Sequence, residues 1–228
     1  MAERAPQAGT LAAGRTRLPP GKHGLSRDFV AENQRQRLLN GVVDAVAEHG
    51  YEATTIARIS AAAKISRRTF YEHFEGKREC FLAAYEMIER HLLDEMLGAP
   101  GAGEEWPERA PARLAALLEV LSRDAAVSRC FLVAPLAAGG EVAARYREAM
   151  QLVGEALRPE PAPADLDLEA RDQALVGGLA TLIVRRLRAG EAERLPELLP
   201  DLTELTLSPY MSREEAKRIA ASTPLPEP

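Results

Sequence analysis

Two cysteines and four histidines in 228 residues set the first limits on this chain. Cys80 and Cys130 are far apart and lack metal-ligand spacing, so they build neither a zinc module nor a disulfide framework. They read as small hydrophobes in a reducing cytoplasm. The histidines stand scattered at 23, 49, 73 and 91. There is no HExxH, no nucleophile elbow and no glycine loop to cradle a phosphate, so no catalytic residue, metal site or cofactor is expected. Long apolar runs are missing as well. The most apolar stretch, CFLVAPLAAGG, is far shorter than the ~20 residues that cross a bilayer. Residues 1–25 are rich in Ala, Gly, Pro and Arg and have no apolar centre of the kind a signal peptide needs. Strand signals are nearly absent, and the expected fold class is all-α.

What is present is unevenly distributed. The net charge is −5, which taken alone argues against a nucleic-acid partner. Residues 1–80, however, carry 13 Lys and Arg against 9 Asp and Glu, a net of +4, while the remainder carries 16 against 25, a net of −9. A basic module that meets an anion, followed by an acidic module with another task, accounts for that asymmetry.

Helix signals follow in order. Ser26 caps a first helix reaching about His49, and Gly50 stops it. Thr54 or Thr55 caps a short helix over 56–63. Ser66 caps another over 67–73, and a fourth runs from about Lys77 to Leu97. Beyond the loop GAPGAGEEWP, helices are expected near 107–123, 125–137, 140–157, 168–189, 196–208 and 213–221, the last opened by the capping box Ser212 and Glu215. Pro196 and Pro200 fit a helix that starts at about Pro196.

Aromatics make up 5% of the chain, yet ISRRTFYEHFEGK, Ile65 to Lys77, holds three of them beside two arginines, a histidine and a lysine. At 100° per residue Phe70 and Phe74 lie about 40° apart and, with Ser66, form an inner face. Arg68, Thr69, Tyr71 and Glu72 fan over the outer face. Two short helices joined by a tight turn, the second exposing Arg and Thr near its start, match how a helix-turn-helix meets the major groove.

TTIARISAAAKISRRTFYEHFEGKRECFLAAYE, Thr54 to Glu86, resembles the DNA-binding motif of the TetR family of bacterial transcriptional regulators. The shared elements are the Thr pair, the turn ending in an apolar residue and Ser, then Thr-x-Tyr-x-His-Phe and a Lys. The resemblance implies that Arg67, Arg68 and Thr69 reach base edges or nearby phosphates. It implies that Tyr71 and His73 grip the backbone, and that Thr55 and Lys77 contact phosphate. The turn position commonly occupied by Gly in the family is Lys64 here, a substitution that costs about 1 kcal/mol if the residue is left-handed.

The resemblance further implies a repressor acting as a homodimer on an inverted-repeat operator of double-stranded DNA. The expected organisation is a disordered tail over 1–25, the DNA-binding module over 26–80, a helical effector-binding and dimerisation domain over 81–222, and a tail over 223–228. The pairing helices are 168–189 and 196–208, the latter with a stripe of Leu195, Leu198, Leu199, Leu202 and Leu205. Gly177–Gly178 would allow close helix approach, inside the fold or across a dimer. Trp106, Phe131, Tyr146 and Met150 are the candidates to line a cavity for an apolar or amphipathic effector. The rival reading is a helical small-molecule sensor or adaptor that leaves its DNA motif unused. That reading expects a damaged recognition face, and the intact Arg-Arg-Thr-x-Tyr-x-His argues against it.

Overall fold

A computed structural model of the chain describes residues 26–99, 105–161 and 167–225. The expected tail over 1–25 and the last three residues of the expected tail over 223–228 lie outside the described residues. Helices form throughout, and among the described residues there is no strand. The chain divides into two compact units, one up to Ile88 and one from Glu89 onward. The division falls inside a helix.

The first unit contains α1 (Arg27–His49), α2 (Ile56–Ala63), α3 (Arg67–His73) and the opening turns of α4 (Lys77–Leu97). Each start is capped where the sequence supplies a hydroxyl. Ser26 accepts from the Phe29 N–H, Thr55 from the Arg58 N–H and Ser66 from the Thr69 N–H, satisfying donors that have no partner within the helix. Thr54 instead donates to the Gly50 carbonyl at 2.7 Å, fixing the loop before α2. Gly50 ends α1 at φ 77°. Leu38, Val42, Ile59, Phe70, Phe81 and Tyr85 are buried to completion. The rings of Tyr51 and Phe81 meet edge to face at 4.9 Å. α1 and α2 approach closely because Gly41 has no side chain: a Cβ there would lie 2.8 Å from both Cβ and N of Ala63.

The second unit contains the last turns of α4, then α5 (Trp106–Arg123), α6 (Ala125–Leu132), α7 (Pro135–Ala138), α8 (Gly140–Leu157), α9 (Leu168–Ala189), a 3-10 turn over Ala192–Leu198, α10 (Leu199–Leu207) and α11 (Arg213–Ser222). Two departures from the sequence expectation trace to proline. The helix expected over 125–137 is broken after Leu132, because Pro135 has no N–H to continue it and its ring would collide with the carbonyl four residues back. The helix expected over 196–208 begins only at Leu199. Starting it at Pro196 would put Pro200 past the first turn; the 3-10 segment instead leaves Pro200 within the first turn of α10.

Asp124 caps α6 by accepting from the Ala126 and Val127 amides. Asp172 on α9 is buried and ion-paired to Arg158 at the end of α8. A Cβ at Gly154 would fall 2.8 Å from that of Asp172, so glycine sets the spacing of α8 and α9. Glu89, also buried, pairs with Arg145 of α8 at 2.6 Å.

The leucine stripe expected to pair two copies is already used within the protomer. Leu195, Leu199 and Leu202 are fully buried in this unit and Leu198 nearly so, whereas Leu205 is 40% exposed. Gly177 faces open space, and Gly178 meets nothing nearer than Leu205 Cδ2 at 3.5 Å. Neither glycine is needed for close packing inside the fold. Among the described residues no helix is long and apolar enough to cross a membrane.

Candidate nucleic-acid interface

The side chains singled out between Thr55 and Lys77 all lie in the first unit, on α2, α3 and the start of α4. α3 is only seven residues long, too short to persist alone. It is held by Phe70 within it and Phe74 at its end, both buried. Burying a side chain of that size contributes about 1.5–3 kcal/mol, and the guanidinium of Arg35 on α1 lies 5.3 Å from the Phe74 ring centre. With the inner face anchored, the outer face is left to solvent. Arg67 is exposed. Arg68 has 92% of its side chain exposed and reaches Glu72 one turn on at 3.4 Å. Tyr71 is 60% exposed, its ring edge-on to Phe70. Thr69 is half-buried, its hydroxyl 3.0 Å from that of Ser66.

His73 and Lys77 are placed differently from the arginines. His73 is half-buried and its Nε2 lies 3.3 Å from Gln34 Oε1 on α1, which ties the end of α3 to the first helix. The Lys77 ammonium donates to the carbonyls of Tyr51, at 2.8 Å, and Glu52, at 3.4 Å, and sits 4.3 Å above the Tyr51 ring. Two of its three protons therefore strap the start of α4 to the α1–α2 loop. Thr55 presents its hydroxyl to the Arg58 amide as the cap of α2.

The turn between α2 and α3 is left-handed at Lys64, with φ 54° and ψ 44°. Its N–H donates to the Ala61 carbonyl at 3.1 Å, and the Ile65 N–H reaches back to Ser60 at 2.9 Å. This paired closure usually has glycine at the left-handed position, and lysine there costs about 1 kcal/mol. Arg37 of α1, which sequence reasoning missed, donates from Nη2 to the carbonyls of Ala63, at 2.6 Å, and Lys64, at 2.8 Å. Nothing in the sequence around Arg37 signals that role, because the partners are backbone oxygens on another helix.

The four candidate effector residues in the second unit do not converge. Phe131 and Met150 line one apolar cavity of about 20 Å³, with Leu117, Val153, Val176 and Ile183 among its walls. Trp106 donates its indole N–H to the Leu157 carbonyl at 2.9 Å and stands edge-on to Tyr210 at 5.0 Å, a packing role. Tyr146 is half-buried on α8 outside that lining, and burial pushes its phenol up. Both cysteines are buried; burial pushes Cys80 up to about 12 and Cys130 higher, so neither is a thiolate nucleophile at neutral pH. Among the described residues no cluster of His, Cys, Asp and Glu is arranged to hold a metal.

Residues 38–84 match the profile described as bacterial regulatory proteins, tetR family. The HTH-type transcriptional repressor AcnR of Corynebacterium efficiens is 43% identical over 51 residues, covering 22% of this chain and 27% of that protein. The chain thus spans little more than a quarter of the length of that relative. The structure of the fatty acid degradation regulator FadR from Bacillus halodurans superposes with a TM-score of 0.68 at 16% identity, covering 78% of this chain and 96% of the other. The transcriptional regulator FadR from Bacillus subtilis, solved in complex with stearoyl-CoA, gives 0.64 at 14%, covering 77% and 98%. These structures share the fold. The motif on α2 and α3 falls within the segment, residues 38–84, that matches bacterial regulatory proteins of the tetR family.

Proposed function

We propose that this protein is a ligand-responsive transcriptional repressor, without catalytic activity, that acts in the cytoplasm as a homodimer on an inverted-repeat operator. The observation that carries this reading is the division of labour on α3. Phe70 and Phe74 are spent on the core, while Arg67, Arg68 and Tyr71 are left to solvent. Arg67 and Arg68 reach base edges, Arg being able to bond guanine bidentately. Thr69 and Tyr71 grip the adjoining phosphates. Thr55 and His73, each already bonded within the module, add backbone contacts from fixed positions. Lys77 offers phosphate its remaining proton from a rigid mount.

Dimerisation rests on the outer face of α9, where Ala174, Gly177 and Thr181 are exposed, together with Leu205. The buried leucines of α10 take no part. The effector is apolar or amphipathic and enters by opening the cavity beside Phe131 and Met150, which at its present size holds about one water. Long-chain acyl compounds are the first to try, since one neighbour of the same fold was solved with stearoyl-CoA.

The test is fluorescence anisotropy with a labelled duplex from the region flanking the protein's own gene, in excess random-sequence competitor. The reading expects binding that survives the competitor and is lost with Arg68→Ala. Displacement by an equal mass of random duplex, for every flanking fragment, would contradict it.

A further inference from the structure

We infer that Arg37 is a positioning residue for DNA recognition: it braces the left-handed turn that aims α3, in a chain whose turn carries lysine instead of glycine. The inference rests on the proposed DNA-binding function and adds a residue outside the recognition motif. Three observations support it. First, Lys64 is the one described non-glycine residue with positive φ, and it lies two residues before the Ser66 cap of α3. Any shift in its backbone therefore rotates the recognition helix as a body. Second, the carbonyls of Ala63 and Lys64 lie at the end of α2, where intrahelical donors have run out. Arg37 supplies one guanidinium nitrogen to both, at 2.6 and 2.8 Å. Third, the base of that arm is rigid. Leu38 and Leu39, which follow Arg37 on α1, are buried, and Gly41 lets α1 lie so close to α2 that a Cβ would collide with Ala63.

A positive charge at the end of a helix also suits the partial negative charge there. The brace therefore acts on the same carbonyls whose direction the left-handed residue sets. Glycine at 64 would hold the turn without help, since it adopts that conformation at no steric cost. Dependence on Arg37 should then vanish when Lys64 is replaced by glycine. It should persist in Lys64→Met, which removes the charge but keeps the strain.

The experiment compares wild type, Arg37→Ala, Lys64→Gly, Lys64→Met and the doubles Arg37→Ala/Lys64→Gly and Arg37→Ala/Lys64→Met. Two probes are used: a duplex selected from a randomised pool by the wild type, and a random-sequence duplex of equal length. Arg37→Ala is expected to weaken the selected duplex at least 10-fold and the random one less than 3-fold, with the salt slope for the selected duplex unchanged. In the Lys64→Gly background the same change should cost less than 3-fold, and in Lys64→Met again 10-fold. An equal loss in all three backgrounds, with the salt slope falling by about one, would identify Arg37 as a phosphate contact and overturn the inference. No loss in wild type would overturn it too.

Hydrogen exchange supplies a reading independent of DNA. The amide of Ile65, bonded to Ser60, should exchange at least 10-fold faster in Arg37→Ala and recover in the double with Lys64→Gly. If Arg37→Ala fails to fold, recovery of folding in that double supports the brace, and its absence refutes it. If wild type selects no duplex, the DNA-binding reading fails while the exchange result still decides whether Arg37 braces the turn.

Discussion

Arg68 and Lys77 carry the same charge nine positions apart, yet their surroundings assign them different work. Arg68 has almost its whole side chain in solvent, so its replacement leaves the fold alone. Arg68→Ala is predicted to weaken operator binding by about 1–3 kcal/mol and to relax preference at one base pair per half-site, read by titrating single-base operator variants. Lys77 is bonded to the Tyr51 and Glu52 carbonyls and lies on the Tyr51 ring. Lys77→Ala is predicted to destabilise the protein by about 1–2 kcal/mol, less than a fully buried charged bond because the side chain is half-exposed. It should weaken binding to all sequences alike. Urea denaturation reads the first effect and operator variants the second; a change in base preference would contradict this assignment.

At the scale of elements, the approach of α1 to α2 fixes where α3 is presented, and Gly41 fixes that approach. Gly41→Ala drives a methyl to 2.8 Å from Ala63 and 2.9 Å from the Ile59 carbonyl. Backbone does not yield as a flexible side chain does, so the predicted cost is about 1–3 kcal/mol in urea denaturation, despite alanine's better helix propensity. A neutral result would mean that the helices separate freely. The first three helices were legible in the sequence because each is opened by a hydroxyl cap, Ser26, Thr55 or Ser66, and α1 is closed by Gly50. The inward turn of Phe70 followed from helical geometry; Phe74 is buried too, but in extended backbone one residue past the end of α3, where the 100° spacing no longer applies. Gly41 was not legible, since a glycine inside a helix shows nothing of what lies opposite. Arg37 was hidden for the same reason, its partners being backbone carbonyls on α2. In the second unit, Pro135 and Pro200 moved helix boundaries because a missing amide and a ring clash outweigh the local apolar pattern. The leucines of α10 read equally well as core or as dimer surface, and only packing distinguishes the two.

At the scale of the whole molecule, those leucines change what a dimer test must use. Leu202 is fully buried, so Leu202→Glu is predicted to unfold the protein, seen as lost helical circular dichroism. Gly177 faces open space on α9, and Gly177→Lys is predicted to keep its helix content while light scattering falls from twice 24.8 kDa to that value. Effector and operator are predicted to oppose each other by one factor. A ligand that weakens the operator 100-fold supplies about 2.7 kcal/mol of coupling, and the operator must weaken that ligand 100-fold in return. α4 is the helix that carries residues of both units. The most direct measurement of the central claim is selection of duplexes from a fully randomised pool by the full chain, followed by sequencing. The account predicts an inverted repeat with half-site centres about one turn, roughly 34–36 Å, apart, and no such enrichment with Arg67→Ala/Arg68→Ala. A wild-type pool with no common motif, or one that the double variant enriches equally, would contradict it.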